Sequence, residues 1–189
     1  MEANYFATCQ KKYMSNNVEI IQNFLDDKSF LEVKKFIMSP RYQWRYVDFI
    51  AHKDGRDQDK DGYFVHSFKD CHPKTLVDRF PESPNYSLMS NLMTKIKEKI
   101  KYQNILRIRS SLYPRRDTQK PDPFHVDYDF SHTVCIFYLN TNNGYTMFEN
   151  GEKVHSVENQ LVIFDGQKKH CSVVQTDESA RYIININLL

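Results

Sequence analysis

From Ile105 to Leu189 the apolar residues fall in short runs broken by Gly, Asn, Asp and Pro, the rhythm of strands joined by turns. This rhythm predicts strands near 105–113, 124–128, 132–140, 145–149, 152–157, 160–165, 170–175 and 181–188. The last run alternates strictly: Arg181, Ile183, Asn185 and Asn187 share one face, and Tyr182, Ile184, Ile186 and Leu188 the other. In the run near 132–140, His132, Val134, Ile136 and Tyr138 share a face. The first half reads differently. A strand is predicted over 18–24, then a helix over 29–38, capped by Asp26 or Asp27 and stopped by Pro40, then a strand over 44–50. Over 85–101, Leu88, Met89, Leu92, Met93, Ile96 and Ile100 recur at helical spacing opposite lysines, which predicts a helix buttressing the sheet. Residues 1–17 read as a loosely attached arm. Helices in the first half and strands in the second predict an α+β fold whose C-terminal half is a jelly-roll barrel. It is read as one domain over 1–189, with 1–103 as helical and strand support and 104–189 as the core.

Candidate chemistry sharpens this picture at His125-Val126-Asp127. A strand places residues i and i+2 on one face, so an imidazole and a carboxylate can meet one metal ion. His170, between the apolar run Leu161, Val162, Ile163, Phe164 and a further strand, is the third candidate ligand. Two histidines and one carboxylate leave the opposite coordination positions open, the ligand set of non-haem Fe(II) oxygenases. With 7 histidines and 24 acidic residues among 189, chance alone supplies about one His-x-acid triplet. A second copy, His52-Lys53-Asp54, opens a polar run without alternation and reads as that coincidence. The downstream copy gains weight from Arg181, whose strand pairs a cation and amides on one face with apolar groups on the other. A guanidinium in a polar cavity can clamp a carboxylate with two parallel hydrogen bonds.

His125-x-Asp127, His170 and Arg181 together resemble the signature of the 2-oxoglutarate and Fe(II)-dependent dioxygenases, with details similar to the prolyl 4-hydroxylase-like branch. Tyr113 in Ser110-Ser111-Leu112-Tyr113-Pro114, Tyr138 in Val134 to Asn140, and Gly144 before Tyr145 to Phe148 match that branch as well. The match covers 105–189 closely and the first half loosely. The His170 to Arg181 spacing is slightly longer than in animal oxygen-sensing hydroxylases, and Asn185 stands where threonine is common. The resemblance implies a double-stranded β-helix (jelly-roll, cupin-like) buttressed by N-terminal helices. It further implies Fe(II) held by His125, Asp127 and His170, and 2-oxoglutarate anchored at its distal carboxylate by Arg181 and Tyr138. Tyr113 would bond the end near the metal, with Asn185 assisting. O2 would complete the reactants, with ascorbate in support. The implied reaction hydroxylates an unactivated C–H bond, first of all in a prolyl residue of a peptide or protein, alternatively in a free amino acid or other small molecule. Two further readings stand beside it. Nucleic-acid demethylation is disfavoured because Asn187 occupies the position of that family's second arginine. A barrel that only binds is disfavoured by the intact ligand set.

Composition excludes other classes. With 40% apolar and 14% aromatic residues the chain can bury a core, and a formal charge of +2 is too mild by itself to argue for a nucleic-acid partner. No apolar run reaches a membrane span, and the polar start lacks a signal-peptide core, so a cytoplasmic protein is expected. Cys9, Cys71, Cys135 and Cys171 show no paired spacing and read as reduced thiols. Asp57-x-Asp59-x-Asp61-Gly62 imitates half of a calcium loop, but Phe68 stands where its twelfth-position carboxylate belongs. The region reads as a surface loop, a lid role being open for 51–70. His66, Cys71 and His72 lack a fourth ligand for zinc. Arg115 and Arg116 read either as an attraction for an acidic partner or as a solvated turn.

Overall fold

A computed structural model describes residues 12–15, 18–48 and 62–189. The elements in chain order are β1 (Lys12–Ser15), β2 (Val18–Ile21), α1 (Asp27–Ile37), β3 (Arg45–Val47) and β4 (Tyr63–Asp70). A 3-10 turn (Tyr86–Met89) then leads into α2 (Ser90–Lys99), followed by β5 (Ile105–Pro114) and β6 (Thr133–Tyr138). The chain closes with β7 (Tyr145–Phe148), β8 (Lys153–His155), β9 (Gln160–Asp165), β10 (His170–Val173) and β11 (Ala180–Leu188). Eight strands form one antiparallel sheet in the order β1-β2-β9-β6-β11-β5-β4-β3, and three form a second, β10-β7-β8.

Alternation along the strands assigns the two faces of the large sheet. Phe137, Ile184, Ile186 and Leu188 point outward and meet Phe30, Val33 and Ile37 of α1 and Leu92, Met93 and Ile96 of α2. Asp26 starts α1 by accepting a hydrogen bond from the Ser29 amide at 3.0 Å, the reason the helix begins where it does. The rings of Phe24 and Phe30 meet Phe137 edge-on at 6.2 and 6.1 Å, which locks α1 and its entry onto β6. On the inward face, Val134, Ile136, Tyr138, Val162 and Ile183 pack against Phe148 and Val154 of the small sheet. Helices, large sheet and small sheet therefore form three layers, and the polar residues of the inward face lie between the two sheets. No helix among the described residues is long and apolar enough to cross a membrane.

Three expectations need correction. Residues 63–70 are not loop: β4 pairs with β3 on one side and β5 on the other. A register shift between Ser67 and Lys69 sends Tyr63 and Val65 inward but Phe68 to the helix side, and this break in period hid the strand. Residues 12–15 pair with β2 and so are not a free arm. Residues 124–128 are not a strand; His125 makes one isolated bridge to His170. The acidic run from Asp57 to Asp61 lies outside the described residues, as does His52-Lys53-Asp54, while Phe68 is fully buried in β4.

Candidate active site

The His125 to His170 bridge sets the first distances. Each backbone N–H donates to the other residue's carbonyl at 3.0 Å, and the two rings stand 4.8 Å apart. His125 Nδ1 lies 3.2 Å from the Pro123 carbonyl and His170 Nδ1 3.0 Å from the Lys168 carbonyl. A carbonyl only accepts, so Nδ1 of each ring is the protonated nitrogen and donates. Nε2 keeps its lone pair, the state a metal ligand needs. Asp127 Oδ1 lies 4.0 Å from His125 Nε2, and ligand atoms of His125, Asp127 and His170 all fall within 4.8 Å of one another. Among the described residues no other such cluster of three occurs. The donor set fits a divalent metal with open positions.

Asp127 is held by Arg107, which the sequence did not single out, and by Asn185 and Asn187. Arg107 Nη2 reaches its Oδ1 at 2.9 Å, while Asn187 Nδ2 and Asn185 Nδ2 donate to Oδ2 at 2.7 and 3.3 Å. Burial pushes the carboxyl up, but Arg107 and the two histidines outweigh it and hold Asp127 well below the usual carboxylate range. Asn185 therefore stands against Asp127, at the His125, Asp127 and His170 end of the cavity. Burial, with the neighbouring His170 ring adding to it, pulls His125 down to about 4 despite Asp127.

The His125 shift gives the metal-free protein a pH dependence of definite sign. Below about pH 6.5 the unfolded chain takes up a proton at His125 that the folded site refuses until about pH 4. Stability is thus whole above pH 6.5 and falls as the pH drops toward 4, with Asp127 adding to the loss at lower pH. Urea midpoints of metal-free protein are expected to decline from pH 7 to pH 5, and His125→Gln to flatten that slope. Midpoints that hold steady or climb on acidification would contradict the burial of a neutral His125.

At the other end of the cavity Arg181 is 1% exposed. Its Nε donates to Ser156 Oγ at 2.7 Å, Nη1 to Ser172 Oγ, and Nη2 to Thr146 Oγ1 at 3.2 Å. Tyr138 OH lies 2.8 Å from the same Thr146 hydroxyl. Every one of these partners is neutral, and among the described residues no carboxylate pairs with the guanidinium. A buried cation without a counter-charge is costly, so the geometry fits an anion entering from the cavity. The guanidinium also faces the rings of Tyr113 and Tyr138 at 5.7 and 5.4 Å. Burial raises both phenols, Tyr113 further under the influence of Tyr63, so both stay protonated and able to donate. Tyr113 is the register partner of Arg181 and lines the same cavity as His125, Asp127 and His170. Arg181 and Asn185 stand four residues apart on the same face of β11, a backbone span of about 13 Å.

Sequence reasoning missed Tyr63, Arg107, Arg109, Ser111, Thr146, Ser156, Ser172 and the role of Asn187. Arg107, Arg109, Ser111 and Tyr113 keep strict period two along β5, a polar stripe that signals an inward face once Tyr113 is placed on it.

No protein-family model matches the chain, and no curated protein matches it in sequence. Solved structures do match. An oxidoreductase of the 2OG-Fe(II) oxygenase family from Burkholderia pseudomallei superposes with TM-score 0.67 at 10% identity, over 91% of this chain and 85% of that one. A Trichoplax adhaerens prolyl hydroxylase, solved with a hypoxia inducible factor peptide fragment, gives 0.62 at 14%, over 93% and 84%. A collagen prolyl hydroxylase of Paramecium Bursaria Chlorella virus-1, solved with 2OG, gives 0.60 at 14%, over 93% and 98%.

The chain has the fold of the 2OG-Fe(II) oxygenases. Within that oxygenase fold the other sequence candidates take structural places. Arg116 pairs with Asp122 at 2.8 Å, inside the chain. His66 bonds to the Gln43 carbonyl at 3.0 Å and to Ser83 Oγ at 2.9 Å, His72 lies 3.3 Å from Thr75 Oγ1, and Cys71 donates to Asp78 at 3.1 Å. None of the three joins a metal cluster. Cys71, Cys135 and Cys171 are buried free thiols, and Cys171 stands outside the ligand cluster next to His170.

Proposed function

We propose that the chain is an Fe(II)- and 2-oxoglutarate-dependent oxygenase, built on a jelly-roll core over 104–189, that hydroxylates an unactivated C–H bond of a prolyl residue in a peptide or protein. The observation that carries this reading is the pairing, in one cavity, of a two-histidine, one-carboxylate cluster with a buried guanidinium that has only hydroxyl partners. His125, Asp127 and His170 hold the metal. Arg181 grips the distal carboxylate of 2-oxoglutarate, with Tyr138, Thr146, Ser156 and Ser172 fixing the direction of the guanidinium. Tyr113 donates to the end of the cosubstrate near the metal, and Asn185 and Asn187 orient Asp127. Metal, 2-oxo acid and O2 together supply the oxidising power: the substrate C–H becomes C–OH while 2-oxoglutarate leaves as succinate and CO2. The protein's share is to aim the ligands and to keep water from the reacting centre.

The prolyl substrate is supported by the prolyl hydroxylases among the similar folds, one of which is solved with a peptide fragment. The buried free thiols suit a reducing, cytoplasmic setting.

The test is anaerobic. Fe(II) and then 2-oxoglutarate are added to metal-free protein, and the visible charge-transfer band of the chelate is followed. A band with the parent that is absent in Asp127→Ala supports the reading. If neither forms one, the fold serves here as a binding module and the oxygenase assignment fails.

A further inference from the structure

Arg109 is the one charged residue of the cavity that neither the metal cluster nor the Arg181 end employs. It lies on the inward face of β5, opposite Asn185 in register and so at the level of the metal ligands. Its Nε is buried without a hydrogen-bond partner, and among the described residues no carboxylate pairs with it. Its guanidinium faces the ring of Tyr63, at 5.9 Å from the ring centre, and acts on the Tyr113 phenol. A half-buried guanidinium with an unsatisfied donor is poised for an anion.

The neighbourhood shows which anion it awaits. The metal cavity is narrow, with His125, Asp127 and His170 at one end and Arg181 at the other, and a cosubstrate reaching between them would fill it. Beside it a groove of about 320 Å³ opens to the surface, lined by Gln43, Trp44, Arg45, Ser67, Lys69 and Pro81 among others, and Arg109 is the residue common to both linings. Lys69 of this groove is engaged by Asp78 and Glu82 at 3.1 and 3.5 Å, and Asp70 by Arg79 at 3.6 Å. Arg45, on β3 opposite the inward-facing Val65, has no carboxylate partner among the described residues. The groove thus presents two guanidiniums with no carboxylate partner among the described residues, and an acid already in use.

Resting on the oxygenase reading above, we propose that the primary substrate carries a carboxylate that Arg109 binds, and that it reaches the metal through the groove beside β3 and β4. The carboxylate can be a free α-carboxylate or an acidic side chain next to the residue to be hydroxylated, and matched probes separate the two.

Binding is measured by calorimetry on protein loaded with Mn(II) in place of Fe(II) and with saturating 2-oxoglutarate. One probe pair is L-proline against L-prolinamide. The other is acetyl-Ala-Pro-Glu-Ala-amide against the same peptide with Gln for Glu. In at least one pair the carboxylate member is expected to bind about 10- to 100-fold more tightly, the worth of a hydrogen bond to a charged group. Arg109→Met is expected to erase that preference and Arg109→Lys to keep part of it, while 2-oxoglutarate affinity moves less than about threefold. Equal binding or no binding within both pairs overturns the inference, as does a preference that survives Arg109→Met. A loss confined to 2-oxoglutarate affinity overturns it too, and assigns Arg109 to the cosubstrate. The charge-transfer band on the same preparations with Fe(II) separates the two failures: without a band the oxygenase reading itself falls, and with one only the role of Arg109 does.

Discussion

Asp127→Ala is expected to lower 2-oxoglutarate turnover by at least about 100-fold, beyond what loss of a residue supporting a metal ligand costs. On the proposed function it removes one of three metal ligands, and the two histidines left would form too weak a site. The same change has a second effect that must be kept apart from the first. Arg107 and Asp127 are 13% and 6% exposed at the side chain, so alanine leaves a buried guanidinium without its carboxylate. Breaking a buried pair costs about 3–5 kcal/mol, enough to unfold a marginal domain. The double variant Asp127→Ala with Arg107→Met removes both charges and is expected to recover most of the stability, read as a urea midpoint, but none of the turnover. If the double variant is also active, Asp127 is not a ligand and the metal centre lies elsewhere. If it is as unstable as the single variant, the ion pair is not what the substitution disrupts.

Arg181→Met is the second large effect, and its signature is the reverse: affinity lost, fold kept. The guanidinium is buried among hydroxyls, so its removal relieves an unpaired charge while leaving Ser156, Ser172 and Thr146 without a donor. These opposing costs are each about 1–3 kcal/mol, and the net change in stability is expected to be small. The KM for 2-oxoglutarate is expected to rise about 100-fold or more, because two charge-assisted hydrogen bonds are lost together. Arg181→Lys keeps the charge without the planar fork and should fall between the two. Fe(II) binding measured without 2-oxoglutarate should be unchanged in both, since Arg181 lies outside the His125, Asp127 and His170 cluster and bonds none of its members. An Arg181→Met protein that binds 2-oxoglutarate as tightly as the parent would remove the basis for calling this end the anion site.

Much of this was legible in the chain before any fold was known. The strict alternation of 181–188 announced one polar and one apolar face, and the structure turns the apolar one onto the helices and the polar one into the cavity. His125, Asp127, His170 and Arg181 were legible because histidine, carboxylate and arginine are costly to bury without a task. Their convergence, however, did not come from the reason first given. Residues 124–128 form no strand, and the two histidines meet through a backbone bridge between segments 45 positions apart in sequence. Strand β4 escaped notice because an acidic run precedes it and a bulge shifts its phase, so its apolar residues divide between two cores.

The sequence by itself determined which residues alternate, which stretches become strand or helix, and which side chains carry chemistry, since these follow from local spacing and residue type. The tertiary structure alone decided that Arg107 grips Asp127, that three hydroxyls from separate segments frame Arg181, and that Arg109 joins the cavity to the groove. Those facts depend on which strands pair and in what register, and register is chosen by contacts between residues far apart in the chain.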